Sequence, residues 1–116
     1  MNIETRTENR ITIIRIQESR IDATKAPDLK SHLSALIEEG KTLIGIDMSQ
    51  VNFIDSSGLG ALVSGMKKIG RNGSMALWGL NRQVKSVFEL TQLYKVFEIF
   101  ENENDTVETL SRYVAS

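Results

Sequence analysis

The residues best suited to chemistry stand together in one short segment. It reads Asp55, Ser56, Ser57, Gly58, Leu59 and Gly60. A carboxylate precedes two hydroxyl groups, and the small glycines let another backbone or a phosphate come close. Where such a segment follows a strand and opens a helix, free backbone N–H groups and the helix dipole favour an anion. The segment therefore indicates a place where a phosphate on Ser56 would be tolerated.

The same residue types have an ordinary structural use. Asp and Ser are favoured N-caps, and a cap contributes about 1 kcal/mol to stability. On spacing alone, the segment favours a capped helix start, and a functional interpretation stays open beside it. Ser57 in particular is typical of a cap rather than of a second phosphate acceptor.

Other kinds of site find little support. No Gly-Lys-Ser/Thr follows the glycines, so the segment is not a nucleotide-binding P-loop. A phosphate-accepting carboxylate at Asp47 or Asp55 would lack the acidic pair that holds magnesium. The single histidine, His32, falls within a predicted helix and is expected at the surface or at its boundary. We therefore expect no catalytic residue, no metal ligand, no cofactor and no enzymatic activity.

Composition narrows the class of protein further. Lys and Arg total 14 against 15 Asp and Glu, so no net field would concentrate the chain on nucleic acid. The sequence has no cysteine, which excludes disulfides and thiolate metal sites. Met1 to Arg10 contain no apolar signal core, and no apolar run approaches the ~18 residues of a membrane span. We expect a cytoplasmic protein that binds neither nucleic acid nor membrane.

The first part of the chain reads as a hairpin and a helix. β-branched residues crowd Ile11 to Ile16, and the stretch Ile3 to Thr7 before Asn9-Arg10 indicates an antiparallel partner strand. From Thr24 to Glu39 apolar residues recur at helical spacing, with Pro27 in the first turn. The run Leu43 to Met48 is uniformly apolar, which is typical of a strand covered on both faces.

The second part alternates helices and strands. After a loop predicted over Ser49 to Ile54, the apolar residues of 59–69 repeat at helical spacing and glycines end the pattern. The remaining predicted elements are a strand over Met75 to Trp78, a helix capped by Asn81, a strand over Val96 to Phe100, and a last helix begun by a capping box of Asp105 and Glu108.

This order predicts one α/β domain over residues 1–116. The elements read ββαβαβαβα, which indicates a largely parallel sheet of about five strands with right-handed crossovers, an opening hairpin strand and four helices. No repeat or linker-like stretch divides the chain. Trp78 and Phe88 are expected in its core.

Three stretches carry a family resemblance. Asp55 to Gly60 resembles a phosphorylation loop, Ile21-Asp22 resembles a strand-end acidic motif, and Asn81 to Phe88 with Leu93 to Ile99 resembles the last third of the same domain. Across essentially its whole length, the chain resembles the STAS family, named for sulfate transporters and anti-sigma factor antagonists. It is most similar there to the stand-alone bacterial anti-sigma factor antagonists.

The resemblance implies a regulator that acts by binding. In that family the first serine of the motif, which corresponds to Ser56, accepts phosphate from a serine kinase that is also an anti-sigma factor. The unphosphorylated protein binds this kinase and frees the sigma factor, and the phosphorylated protein lets go until a serine phosphatase restores it. ATP and magnesium belong to the kinase.

The matching positions suggest individual roles. Asp55 would orient the loop and bias its charge, and Gly58 and Gly60 would permit close approach of the kinase. Asp22 is expected near the loop because both follow strand ends. The residues assigned to the partner-facing loop are Asp22, Asp55, Ser57, Gly58, Leu59 and Gly60.

Two departures and two alternatives accompany the resemblance. The family often has glycine before its acidic motif, where this chain has Ser19 and Arg20, and a glycine common after Thr91 is here Gln92.

A non-phosphorylated STAS subunit of a membrane transport complex is one alternative, disfavoured by the intact Ser56. A stressosome-like scaffold component is the other, disfavoured by the short stretch before the Ile11 strand.

Overall fold

A computed structural model describes residues 1–115 of the chain. Its elements, in chain order, are β1 (Ile3–Glu8), β2 (Ile11–Ile16), β3 (Arg20–Ile21), α1 (Ala26–Glu38), β4 (Leu43–Asp47), β5 (Phe53–Ile54), α2 (Ser56–Ile69), β6 (Ser74–Trp78), α3 (Arg82–Leu90), β7 (Glu98–Phe100) and α4 (Glu103–Ala115). Short 3-10 turns follow α2 over Gly70–Asn72 and α3 over Leu93–Lys95.

The main sheet has the predicted form. Over the described residues its five strands lie in the order β1-β2-β4-β6-β7, with β1 antiparallel to β2 and the other neighbours parallel. Asn9 and Arg10 join β1 to β2 with φ values of 50° and 71°. Positive φ at both central residues matches the right-handed twist of a two-residue hairpin. The predicted α/β fold with an opening hairpin and four helices is confirmed over residues 1–115.

Helices cover both faces of this sheet. β4 is buried along its whole length because α1 and α2 pack on one face and α4 packs on the other. The larger core, with α1 and α2, includes Phe88, and the smaller core beneath α4 includes Trp78. Both aromatic residues are therefore core residues, as predicted. Within residues 1–115, no helix is both long and apolar enough to cross a membrane.

The region predicted as a loop before α2 contributes one strand to a second, smaller sheet. β3 and β5 pair in parallel, with Arg20 opposite Phe53 and Ile21 opposite Ile54. The prediction that 49–54 form only a loop was therefore wrong. Two-residue strands are too short to show an alternating pattern, so hydrophobic periodicity does not reveal them, although the resemblance of Ile21-Asp22 to a strand-end motif was consistent with β3.

Three predicted boundaries also needed correction. The first helix begins at Ala26 rather than Thr24, and the last strand begins at Glu98 rather than Val96. The last helix begins at Glu103, because the Asn102 side chain accepts a hydrogen bond from the backbone N–H of Asp105 at 2.8 Å. The predicted capping box of Asp105 with Glu108 is therefore wrong, and Asn102 fills the place of the cap.

Candidate functional site

The ribbon of β3 and β5 brings the two acidic motifs together. Asp22 directly follows Ile21, and Asp55 directly follows Ile54, the residue paired with Ile21. The backbone N–H of Asp55 donates to the Ile21 carbonyl at 3.2 Å. Ile21 and Ile54 are buried beneath the ribbon, which fixes its orientation against the start of α2. The two aspartates thus lie side by side at the same end of the fold.

Asp55 is the N-cap of α2. Its backbone is extended, and its Oδ1 accepts a hydrogen bond from the Gly58 N–H at 3.1 Å. The capping interpretation of the segment is therefore correct for Asp55. Because the Asp55 carboxylate caps the first turn, neither serine hydroxyl is needed to close it, and the expectation that Ser57 acts as a cap is wrong.

Ser56 is the first residue of α2 and is exposed to solvent. Among the described residues, its hydroxyl has no hydrogen-bond partner. The backbone N–H groups of a helix's first turn lack intrahelical acceptors, and the helix dipole places positive potential there. The hydroxyl of Ser56 is thus accessible and lies where a negative charge is favoured.

The two glycines of the segment differ in their surroundings. A Cβ at Gly58 would lie 2.6 Å from Ile54 Cγ1 and 2.9 Å from both Ile21 Cγ2 and the Ile21 carbonyl oxygen. Gly58 therefore lets α2 start directly on the ribbon. A Cβ at Gly60 would meet nothing within 4 Å, and this residue is exposed. No internal contact explains the absence of a side chain at Gly60.

The other residues of the segment divide between core and surface. Leu59 is buried in the main core, so its side chain does not belong to a partner-facing surface. Ser57 is half-buried and borders a shallow groove between α1 and α2. The groove is lined by Ala23, Ala26, Pro27, Lys30, Ser57, Gly60 and Ala61.

Asp22 is held in a tight local turn. Its Oδ1 accepts hydrogen bonds from the Thr24 hydroxyl at 2.6 Å and from the Thr24 backbone N–H at 3.1 Å. These bonds, with the hydroxyl as the largest contribution, lower the pKa of Asp22 below its ordinary value. The Asp22 carboxylate is therefore ionised beside the Ser56 loop at neutral pH.

Sequence reasoning missed one feature of this surface. The guanidinium of Arg20 lies over the ring of Phe53, with Cζ 4.1 Å from the ring centroid. Arg20 Nε is also 4.0 Å from Asp22 Oδ2. Phe53 is among the exposed large apolar residues, with 40% of its surface accessible. The pairing depends on the β3–β5 register, which the sequence does not reveal.

His32 lies away from this surface. It is half-buried on α1, where its Nε2 is 2.9 Å from the Thr5 hydroxyl of the opening strand. The expectation of a boundary residue is confirmed. Within the described part of the chain, no cluster of His, Asp and Glu side chains could hold a metal ion.

Comparison with known proteins agrees with this architecture. The family model described as the STAS domain matches residues 2–106. A relative from Staphylococcus aureus named anti-sigma-B factor antagonist is 27% identical over 109 residues, which cover 93% of this chain and 98% of the relative.

Solved structures share the fold. The crystal structure of an anti-sigma factor antagonist from Mycobacterium paratuberculosis superposes with a TM-score of 0.87 at 21% identity, covering 95% of this chain and 93% of that one. The Bacillus cell fate determinant SpoIIAA in its phosphorylated form superposes with a TM-score of 0.71 at 19% identity, covering 93% of this chain and 98% of that one. The family model that matches residues 2–106 establishes that the chain belongs to the STAS domain family.

Proposed function

We propose that this protein is an anti-sigma factor antagonist controlled by phosphorylation of Ser56. Unphosphorylated, it binds an anti-sigma factor that is also a serine kinase, and the sigma factor is released. Phosphorylation of Ser56 by that kinase ends the binding, and a serine phosphatase restores it. The name of the Staphylococcus aureus relative supports the antagonist role, and the structure of phosphorylated SpoIIAA supports phosphorylation of a protein with this fold.

The accessible hydroxyl of Ser56 is the observation that carries the proposal. A kinase acts on a serine whose hydroxyl can enter the kinase active site without the loss of contacts that hold the substrate's fold. Asp55 already caps α2 through the Gly58 N–H, so Ser56 has no structural hydrogen bond to lose. Ser57 is half-buried and is the poorer acceptor of the two.

The charge of a phosphate accounts for the switch. A phosphoserine carries about −1.5 to −2 charges at neutral pH. In a complex that covers Ser56, this charge would be desolvated next to Asp22 and Asp55. Breaking a buried polar pair at an interface typically costs 2–5 kcal/mol, and about 3 kcal/mol is already a hundredfold in affinity. One hydroxyl can therefore control binding without refolding of the domain.

Gly60 supports a protein partner at this surface. A glycine inside a helix costs roughly 0.5–1 kcal/mol relative to alanine, and no packing contact compensates for it here. Close approach of a partner backbone at Gly60 is a use that would justify this cost. The groove beside Ser57 and Gly60 gives such a partner a shallow surface on which to dock.

The proposal is tested by capturing the tagged protein from its native cells with ATP present. We expect a serine kinase to be recovered and the phosphate to be found on Ser56 by mass spectrometry. Ser56→Ala should retain the kinase and carry no phosphate, whereas the matched control Ser57→Ala should carry wild-type phosphate. Full phosphorylation of Ser56→Ala would refute the site. Recovery of a transport ATPase with unmodified Ser56 would replace the antagonist function with the transport-subunit alternative.

A further inference from the structure

Arg20 is held on the outer face of the β3–β5 ribbon by weak interactions. Its side chain is 56% exposed and contacts the Phe53 ring at 4.1 Å and the Asp22 carboxylate at 4.0 Å. An exposed cation–π contact and a long surface ion pair each stabilise little, so a more strongly charged anion can displace both. Asp22 also has one oxygen already occupied by Thr24. The guanidinium is thus positioned but weakly held.

The register of the ribbon places Arg20 within range of the Ser56 loop. Arg20 and Phe53 are direct neighbours across β3 and β5, and both strands run toward the start of α2. Ser56 follows Phe53 by three residues, which span at most about 11 Å. Side chains alternate along a strand, so Arg20 and Phe53 face outward while Ile21 and Ile54 face the core. The long side chain of Arg20 and a phosphorylated Ser56 can therefore meet above the ribbon.

We propose that Arg20 is the internal counter-ion of a phosphate on Ser56 and leaves the Phe53 ring to bind it. The inference rests on the proposed function, since it assumes that Ser56 is phosphorylated. A guanidinium binds phosphate oxygens through two parallel N–H donors, which makes the pair stronger than a contact with one aromatic ring. Phosphorylation then changes the surface in two ways. It adds the phosphate, and it exposes the Phe53 ring that Arg20 had covered.

Lys25 and Lys30 are poorer candidates for this role. Lys25 Nζ is 2.8 Å from Glu18 Oε1, so its charge is already paired. Lys30 is exposed and borders the groove beside Ser57, on the α1 side of the loop rather than on the ribbon. A lysine also lacks the paired donors of a guanidinium. Lys30 therefore serves as the matched control for Arg20.

The test uses the full chain with phosphoserine incorporated at position 56 during translation, so no kinase is needed. The second ionisation of the phosphate is followed by phosphorus NMR as a function of pH at low salt. A neighbouring guanidinium favours the dianion, so Arg20→Gln should raise the phosphoserine pKa by about 0.5 unit, a roughly threefold change in proton affinity. Lys30→Gln should leave it within about 0.1 unit of the unsubstituted phosphoprotein.

A second measurement needs no substitution at Arg20. The guanidinium of Arg20 lies over the Phe53 ring, so the ring current should shift the Arg20 Nε–H resonance. Phosphoserine at position 56 should move that resonance away from the ring-shifted value. An unchanged resonance, an unchanged pKa in Arg20→Gln, or an equal pKa change in Lys30→Gln would each overturn the inference. These results do not depend on a kinase, so a failure of the cellular capture experiment is distinguishable from a failure of this one.

Discussion

The two glycines of the Ser56 loop predict opposite responses to the same substitution. At Gly58 an added methyl would overlap Ile54 Cγ1 and the Ile21 carbonyl oxygen, which is itself bonded to the Asp55 N–H. Overpacking costs about 1–3 kcal/mol, and the higher helix propensity of alanine returns at most about 1 kcal/mol. Gly58→Ala should therefore lower the free energy of unfolding by about 1–2 kcal/mol.

At Gly60 the space is open, so only the helix propensity acts. Gly60→Ala should raise the free energy of unfolding by about 0.5–1 kcal/mol. Urea unfolding followed by the fluorescence of the buried Trp78 measures both variants against the wild type. The expected difference between the two variants is about 2 kcal/mol. Equal stability of Gly58→Ala and Gly60→Ala would show that α2 does not start in close contact with the ribbon, and the reasoning would fail.

Two further predictions concern Gln92 and Glu18. Gln92 adopts φ 62°, a left-handed conformation that disfavours residues with a Cβ. Gln92→Gly should therefore raise the free energy of unfolding by about 0.5 kcal/mol in urea titrations. A lower free energy of unfolding in Gln92→Gly would contradict this. The pKa of Glu18 is lowered from 4.5, first by the hydrogen bond from Lys25 and then by that from the Asn2 N–H. The stabilisation that ionised Glu18 gives the folded protein is therefore present above pH 4.5 and is lost as the pH falls through the lowered pKa of Glu18. Glu18→Gln should be less stable than wild type at pH 7, and the difference should shrink as the pH falls below 4.5; a stability difference that does not change with pH would rule this out.

The elements of the main sheet could be predicted because their patterns are long. The helical repeat of 59–69 and the uninterrupted apolar run Leu43 to Met48 each contain enough residues to distinguish one period from another. Asn9-Arg10 matched the turn that the opening hairpin uses. These signals are local, and local patterns decide where helices and strands lie.

The rest of the site depends on contacts that no local pattern encodes. The β3–β5 ribbon joins two short segments far apart in the chain, so neither the Arg20–Phe53 contact nor the different surroundings of Gly58 and Gly60 could be read in advance. The prediction of the cap of the last helix was wrong for a related reason. Asn102 and Asp105 are both good caps by residue type, and only the backbone geometry decides between them.

The separate ribbon gives the Ser56 end of the molecule its own local stability. Two residue pairs join β3 to β5, outside the hydrogen-bonded ladder of the main sheet. Segments with few backbone hydrogen bonds open locally at a free energy well below that of global unfolding. Amide protons of the ribbon should therefore exchange with solvent faster than those of β4. The Ser56 end of the molecule can thus open locally, with exposure of Ile21 and Ile54, while the strands of the main sheet stay paired.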